Sequence, residues 1–459
     1  MTTGSIFRRT VRRFCRDRRG NYGMMMAALA PLLLLGVGFG INIAQVSTAR
    51  SNLLAALDSA VTSTARDLTT GVIDENDARA TVEAFLLANG QRAFSQGERI
   101  TLDSIVINKT QKTVTAQASV VVDVAFPLFG AANRQKITTE SAAIYSDRKI
   151  EVAMMLDLTG SMKKTKTDDK LGDLQKAAKN AVNALLSYNK GADPRVRIAL
   201  VPYANSVNVG KSIAQASVFV ERSAADRKQA PASNDPKVVL SASRPDNCAT
   251  ERKGDYQYSD RGPTASMVNR DYLLDGFVNQ WTTEKTCPDA KIVPLTASRT
   301  TLEEAIDDFE ATGGTGGHIG VQWTWYMLSE HWASVVGSSA APAKRDPKKV
   351  GKYAILMTDG EFNLSYFDVT KAADAYNDKG KKETRESAKK LCEEMRKAGI
   401  EIFTIGFKLT DEKARETMRS CASPDTGSIQ HYFDTSTGSE LDAAFQKIVE
   451  NLERLALTR

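Results

Sequence analysis

The segment Asp157-Leu158-Thr159-Gly160-Ser161 places a carboxylate and two hydroxyls at i, i+2 and i+4, directly after the apolar run Val152 to Leu156. A hard divalent cation takes oxygen ligands, and a site rich in hydroxyls and poor in carboxylates suits Mg²⁺, with Mn²⁺ or Ca²⁺ as alternatives, while leaving room for an external ligand. Asp, Thr, Gly and Ser also cap the helix after any strand-to-helix turn, so the pentapeptide alone carries little. Two further segments add to it. The glycine-rich GGTGGHIG, residues 313 to 320, offers the Thr315 hydroxyl, and TDG, residues 358 to 360, offers the Asp359 carboxylate after YAILM. Three hydroxyls and two carboxylates from three loops form a far more specific set than any one member.

Other chemistries fit the same residues poorly. A phosphate-binding P-loop needs Lys-Ser/Thr after its last glycine, where Val321 and Gln322 stand, and a dinucleotide fingerprint needs Gly or Ala at Ile319. No Gly-x-Ser-x-Gly surrounds Ser161, and Asp157-Leu-Thr is not a phosphatase Asp-x-Asp. Only His318, His331 and His431 are present, a thin supply for acid/base catalysis, and His318 reads as a structural histidine beside the glycine loop. No Cys-x-x-Cys or His cluster points to zinc.

The elements that must position these residues alternate from Lys149 onward. Strands are expected at 149–156, 195–202, 353–357 and 401–407, with helices at 171–186, 300–311, 319–329, 372–398, 412–419 and 440–455. Short apolar strands between amphipathic helices imply a parallel sheet covered on both faces, an α/β fold of the doubly wound, Rossmann-like kind. Ligands of such sheets bind beyond the carboxyl ends of the strands, where Asp157 and Asp359 both fall.

Before this domain the chain reads as a membrane anchor and a small α+β region. Residues 1–20 hold seven Arg and one Asp, which equals the whole-chain charge of +6 and leaves 54 basic and 54 acidic residues in the remainder. The basic balance therefore reports the tail, not a nucleic-acid partner. Residues 24–44 carry no charge, and as a helix they span about 31 Å, matching a hydrocarbon core of roughly 30 Å. The positive-inside rule places the 1–23 tail in the cytoplasm and the bulk of the chain outside the bacterial inner membrane, in the periplasm. A cleaved secretory signal is disfavoured by the length of the apolar run and the lack of an Ala-x-Ala site. A prepilin-type leader ending at Gly20 would want Glu where Met25 stands. Residues 45–147 then read as a continuing helix, a second helix over 74–91 capped by Asp74, and a small antiparallel sheet with strands either side of 108–112 and over 136–145. The plan is pilin-like or a simple stalk.

Periodicity fades over 206–290, an insertion with Pro231, Pro236, Pro245 and Pro263 and scattered Tyr256, Tyr258, Tyr272, Phe277 and Trp281. Four cysteines fall on the exported side, an even number consistent with disulfides 248–287 and 392–421 among three possible connectivities, or with free thiols. Cys15 stays cytoplasmic and reduced in this topology. Trp323, Trp325, Tyr326 and Trp332 have helical spacing and read as core, and the charge-rich helix over 371–398 reads as a solvated face.

The Asp157/Thr315/Asp359 pattern resembles the metal-ion-dependent adhesion site (MIDAS) of von Willebrand factor A (vWA) domains, with Thr159 where that family usually has Ser. The resemblance implies a vWA domain over 148–459, interrupted by the insertion. It also implies Ser161, Thr159 and Thr315 nearest the cation, Asp157 and Asp359 binding directly or through water, and an open position for a protein partner's carboxylate. The order of the basic tail, RRGNYGMMMAALAPLLLLGVGFGIN, GGTGGHIG with WTWYMLS, CASPD, HYFDTSTGSEL and the LALTR ending resembles TadG-like proteins of Flp/Tad pilus assembly. That likeness implies a non-enzymatic, single-pass component that binds a pilus or secretion-machinery partner in cell adhesion. An anchored metal-dependent hydrolase or chaperone-like factor, or a surface adhesin unrelated to pili, are the alternatives. A C-terminal reporter is expected to be active only when it is a type that works outside the cytoplasm, and activity of a cytoplasm-only reporter would reverse this topology.

Overall fold

The structure, a computed structural model, describes residues 20–70, 72–90, 94, 98–126, 133–146, 148–189, 194–221, 247–271, 287–367, 375–427 and 429–458. The arginine cluster, Cys15, Pro231, Pro236, Pro245, Tyr272, Phe277 and Trp281 lie outside the described residues. The chain divides into two compact units, Met1–Leu68 with Ile73–Tyr145 and Thr69–Val72 with Ser146–Arg459.

In the first unit, α1 (Gly20–Thr70) is a single helix of 51 residues. Among the described residues it is the one helix long and apolar enough to cross a membrane. Leu32, Leu33 and Leu34 are 64%, 63% and 70% exposed, an apolar surface that water would penalise and hydrocarbon would not. Further along, Leu53, Leu57, Ala60 and Val61 recur every three or four residues and are buried with Val114, Ala116, Ala118 and Val120 of a three-stranded antiparallel sheet. That sheet runs β1 (Ile100–Asn108), β2 (Thr113–Asp123), β3 (Arg134–Ile144), and α2 (Ala78–Gly90) adds Ala78, Val82 and Leu86 to the same core. The second helix starts four residues later than Asp74 predicts, because the Asp74 carboxylate accepts the Asn76 and Asp77 amides and closes a separate turn. Asn42 Nδ2 donates to the Phe126 carbonyl at 2.6 Å and its Oδ1 accepts the Phe126 amide at 3.1 Å. A Cβ on Gly38 would lie 3.1 Å from the Phe126 ring, so a glycine lets that ring approach the apolar helix.

In the second unit, β4 (Lys149–Asp157), α3 (Lys170–Leu186) and β5 (Val196–Tyr203) open a six-stranded sheet. The stretch expected to lack periodicity holds β6 (Val207–Asn208), α4 (Gly210–Ser217), β7 (Val218–Glu221), β8 (Cys248–Ala249) and β9 (Val268–Asp271), paired as two small ribbons, β6 with β8 and β7 with β9. β10 (Val293–Thr296), α5 (Arg299–Asp307), α6 (Gly317–Tyr326), β11 (Val350–Thr358), α7 (Asp378–Lys397), β12 (Glu401–Phe407), α8 (Glu412–Cys421), β13 (Tyr432–Thr435) and α9 (Gly438–Thr458) complete the unit. The strand order is β10-β5-β4-β11-β12-β13.

Side chains alternate across each strand. Val152, Met154 and Leu156 pack with α3 and α9 on one face, while Ala153 and Met155 pack with α6, α7 and α8 on the other. The sheet is not wholly parallel: β10 pairs antiparallel with β5. It is an edge strand carrying Pro294, a residue tolerated at edges, and its four residues are too short to read from periodicity. The short strand β13 also went unread, and it pairs parallel with β12. Helix α5 stops at Asp307 rather than continuing to 311, and Thr312 N–H then donates to the Leu158 carbonyl at the mouth of the sheet. Helix α7 begins at Asp378, where the Asn377 side chain accepts the Gly380 amide, and it is not a purely solvated face, since Leu391, Cys392 and Met395 are buried. Trp323, Tyr326 and Trp332 are fully buried against one another.

Cys248 is joined to Cys287, and Cys392 to Cys421, with Cα atoms 6.1 Å and 5.0 Å apart. The second bond ties α7 to α8 across 29 residues of sequence, a closure that constrains the unfolded chain by about 3–4 kcal/mol. Replacing both Cys392 and Cys421 by Ser is expected to lower stability by that order. Denatured, non-reduced protein should leave all four of these cysteines unlabelled by a thiol reagent; labelling at Cys392 and Cys421 without reductant would remove the crosslink.

Candidate metal centre

The site grows from the end of β4. Asp157 pairs in register with Tyr203 of β5, so both arrive at the same carboxyl edge. The chain then turns through Leu158, whose amide donates to the Tyr203 carbonyl and whose carbonyl accepts from Thr312. The Gly160 amide donates to the Gly313 carbonyl at 2.8 Å. A Cβ on Gly160 would lie 3.0 Å from that carbonyl, which explains the glycine between the two hydroxyl residues.

Asp157 is fully buried and surrounded by donors. Its Oδ1 accepts the Thr159 amide at 2.8 Å, and its Oδ2 accepts the Tyr203 hydroxyl at 2.9 Å and the Thr358 hydroxyl at 2.7 Å, with the Asp359 amide at 3.4 Å. Burial raises its pKa to about 6, the Asp359 charge pushes it the same way, and the Thr159 and Thr358 bonds oppose both. The Tyr203 hydroxyl is pushed well above its ordinary value by burial and by Asp157, so it stays a donor.

The other four expected ligands converge beside this anchor. Thr159 Oγ1 and Ser161 Oγ lie 2.9 Å apart, and Ser161 Oγ donates to Asp359 Oδ1 at 2.6 Å. Thr315 sits on the glycine loop, held by its amide donating to Asn363 Oδ1 at 2.8 Å and its carbonyl accepting the Asn363 amide. A Cβ on Gly360 would lie 3.3 Å from Ser161 Oγ, a tight approach, and 3.5 Å from Thr315 Oγ1, an ordinary contact, so both hydroxyls flank the Gly360 position. The loop itself approaches closely: a Cβ on Gly317 would fall 2.1 Å from the Phe362 ring. The Thr315 hydroxyl has no hydrogen-bond partner among the described residues.

The donor set thus fits a hard cation, with hydroxyl and carboxylate oxygens only. Among the described residues no three His, Cys, Asp or Glu side chains gather, so a cation held here depends on hydroxyls and water for most of its shell. Sequence reasoning missed four residues that shape the site: Tyr203, Thr358, Asn363 and Lys170. Thr358 lies within TDG and Tyr203 directly follows the strand expected at 195–202, closing the observed β5, so their positions were nearly readable but their hydrogen bonds were not. Lys170 Nζ reaches Asp359 Oδ2 at 2.7 Å. His318 is buried against Thr384 Oγ1 at 2.7 Å and Glu251 at 3.3 Å and touches none of the oxygen ligands.

Residues 20–67 match the family described as putative Flp pilus-assembly TadE/G-like. The match covers α1 and not the oxygen cluster. No curated protein matches the chain. Among solved structures, the pilus adhesin SpaC from Lactobacillus rhamnosus GG is similar at 12% identity and TM-score 0.37, over 78% of this chain and 35% of that one. The vWF domain of the type V pili tip protein Mfa5 from Porphyromonas gingivalis is similar at 14% identity and TM-score 0.36, over 68% of this chain and 97% of that one. A point mutant of the PilB minor pilin from Streptococcus sanguinis is similar at 11% identity and TM-score 0.35, over 78% of this chain and 80% of that one. The chain thus spans about a third of the length of SpaC.

The raised pKa of Asp157 has a sign that can be measured. Below the unfolded value of 3.8 the carboxyl is protonated in both states. As pH rises through about 6 the folded group ionises and the stability from the retained proton is lost. In divalent-free buffer, the parent is expected to lose on the order of 2–3 kcal/mol relative to Asp157→Asn between about pH 4 and 7. Denaturant-melt stabilities that run parallel with pH for the two proteins would contradict this.

Proposed function

We propose that this protein is a non-enzymatic, membrane-anchored component of Flp/Tad-type pilus assembly. Its second unit acts as a vWA-like domain that binds a partner protein through a divalent cation, Mg²⁺ in the first instance. The observation that carries the metal reading is the convergence of Thr159, Ser161, Thr315 and Asp359 from three loops on one point beside Gly360, next to a fully buried Asp157. The match of residues 20–67 supports the pilus context and the exposed apolar run of α1 supports the anchor.

Ser161, Thr159, Thr315 and Asp359 would hold the cation, with Asp157 acting through water or as the fixed base of the loop. The bound cation supplies a local positive charge with coordination left for a partner's carboxylate. The chain's own residues do the rest. Thr358, Tyr203 and the Thr159 amide fix Asp157, Asn363 fixes the Thr315 backbone, and the glycines keep the mouth clear of side chains. An enzymatic role is less well supported, because His318, the one histidine near the glycine loop in sequence, is committed to Thr384 and Glu251. The topology predicted from the arginine tail puts the partner in the periplasm, and the two disulfides accord with an oxidising compartment.

Millimolar Mg²⁺ is expected to raise the melting temperature of the detergent-solubilised parent by several degrees, the scale set by a ligand present at about 100 times its Kd. The double variant Ser161→Ala/Thr315→Ala should fold but gain nothing, and cells carrying it should lose pili. No shift of the parent with Mg²⁺, Mn²⁺ or Ca²⁺, or normal piliation by the double variant, would sink the proposal.

A further inference from the structure

Asp359 is the one carboxylate of the cluster that pairs with a cationic side chain. Its side chain is 0% exposed, its Oδ1 accepts the Ser161 hydroxyl at 2.6 Å, and its Oδ2 is paired with Lys170 Nζ at 2.7 Å. The lysines nearby have other duties: Lys164 pairs with Asp169 and Lys408 with Asp168. Lys170 is the first residue of α3, and the helix start is fixed independently by the Asp169 side chain, which accepts the Gly172 amide. The Lys170 side chain is 20% exposed, so its ammonium has a route to water, and its flexible stem can swing without moving the helix.

Resting on the metal reading above, we propose that Lys170 is a tethered counter-ion. Its ammonium neutralises Asp359 in the metal-free protein and must leave Asp359 Oδ2 when a divalent cation enters. The physical need is plain: two carboxylates meet at this edge, both with fully buried side chains, and an uncompensated buried charge is costly. Lys170 supplies one positive charge where the cation supplies two, so the two compete for the same oxygen. Lys170 therefore sets the metal affinity while protecting the empty site.

The test uses full-length protein in detergent and reads Mn²⁺ binding by electron paramagnetic resonance. Lys170→Met and Lys170→Gln are each expected to bind Mn²⁺ about tenfold more tightly than the parent. Lys163→Gln removes an equal charge from the same loop without touching Asp359, and should stay within about twofold of the parent. Without metal, Lys170→Met should melt below the parent, and Lys170→Gln, which can still donate to Asp359, should lie between them. Parent-like or weaker binding by both Lys170 variants overturns the counter-ion assignment while leaving the metal site intact. Equal tightening by Lys163→Gln overturns it too, since a general field would then explain the effect. Binding by the Lys170 variants but not by the parent upholds the assignment and removes the native metal reading. If no protein binds Mn²⁺, both fall.

Discussion

The architecture of the second unit hangs on one buried carboxylate. Asp157 gathers the Thr159 amide, the Tyr203 hydroxyl, and the Thr358 hydroxyl and Asp359 amide, and so locks the ends of β4, β5 and β11 together. None of these donors carries a charge. At the other end of the same strand Glu151 is buried as well, but it meets Arg197 and Lys352, two cations for one anion. The two ends of β4 are thus opposite in charge balance. One is a closed ion cluster that pins the sheet; the other holds two carboxylates against a single ammonium and lacks positive charge. This shortfall is the electrostatic ground for the cation proposed at the second end.

The remaining features of the mouth follow from keeping that end open. Hydroxyls lower the charge that must be compensated when no cation is present, which a site of four or five carboxylates could not do. Glycines at 160, 317 and 360 let three loops approach to distances that a Cβ would forbid or crowd. Asn363 braces Thr315 through both its amide and its side chain, so a hydroxyl with no internal partner among the described residues is held in place by the backbone rather than by its own hydrogen bond.

Much of this was legible in the sequence because it depends on local pattern. The four central strands were read to within about three residues, since each is a short apolar run ending in a polar turn, and four of the five candidate oxygen residues, Asp157, Thr159, Ser161 and Asp359, stood at two of those turns, with Thr315 on the glycine loop before α6. What escaped depends on partners distant in the chain. Lys170 looks like any first-turn lysine until β11 brings Asp359 beside it, 189 residues away in sequence. β10 escaped because a four-residue edge strand with a proline shows no periodicity. The elements of 206–290 escaped for a related reason: two-residue strands such as β6 and β8 exist only as a pair. Asp74 misled because one side chain can cap a turn as well as a helix.

The two lines of support for function come from different parts of the chain and from different physics. The pilus match lies in α1, whose first half is defined by apolar exposure and whose second half is defined by packing on a three-stranded sheet. The metal reading lies in the second unit and rests on hydrogen bonds and charge balance. Neither borrows from the other, and each could fail alone. Their combination is what limits the choice of role. A membrane helix alone would serve any anchored protein, and an oxygen cluster alone would serve any Mg²⁺ site. In the role proposed, the helix that matches the TadE/G-like family over residues 20–67 would anchor the chain and the second unit would bind its partner through the cation. A lysine that guards the shell when it is empty would let that grip depend on metal without leaving two carboxylates to destabilise the fold in its absence.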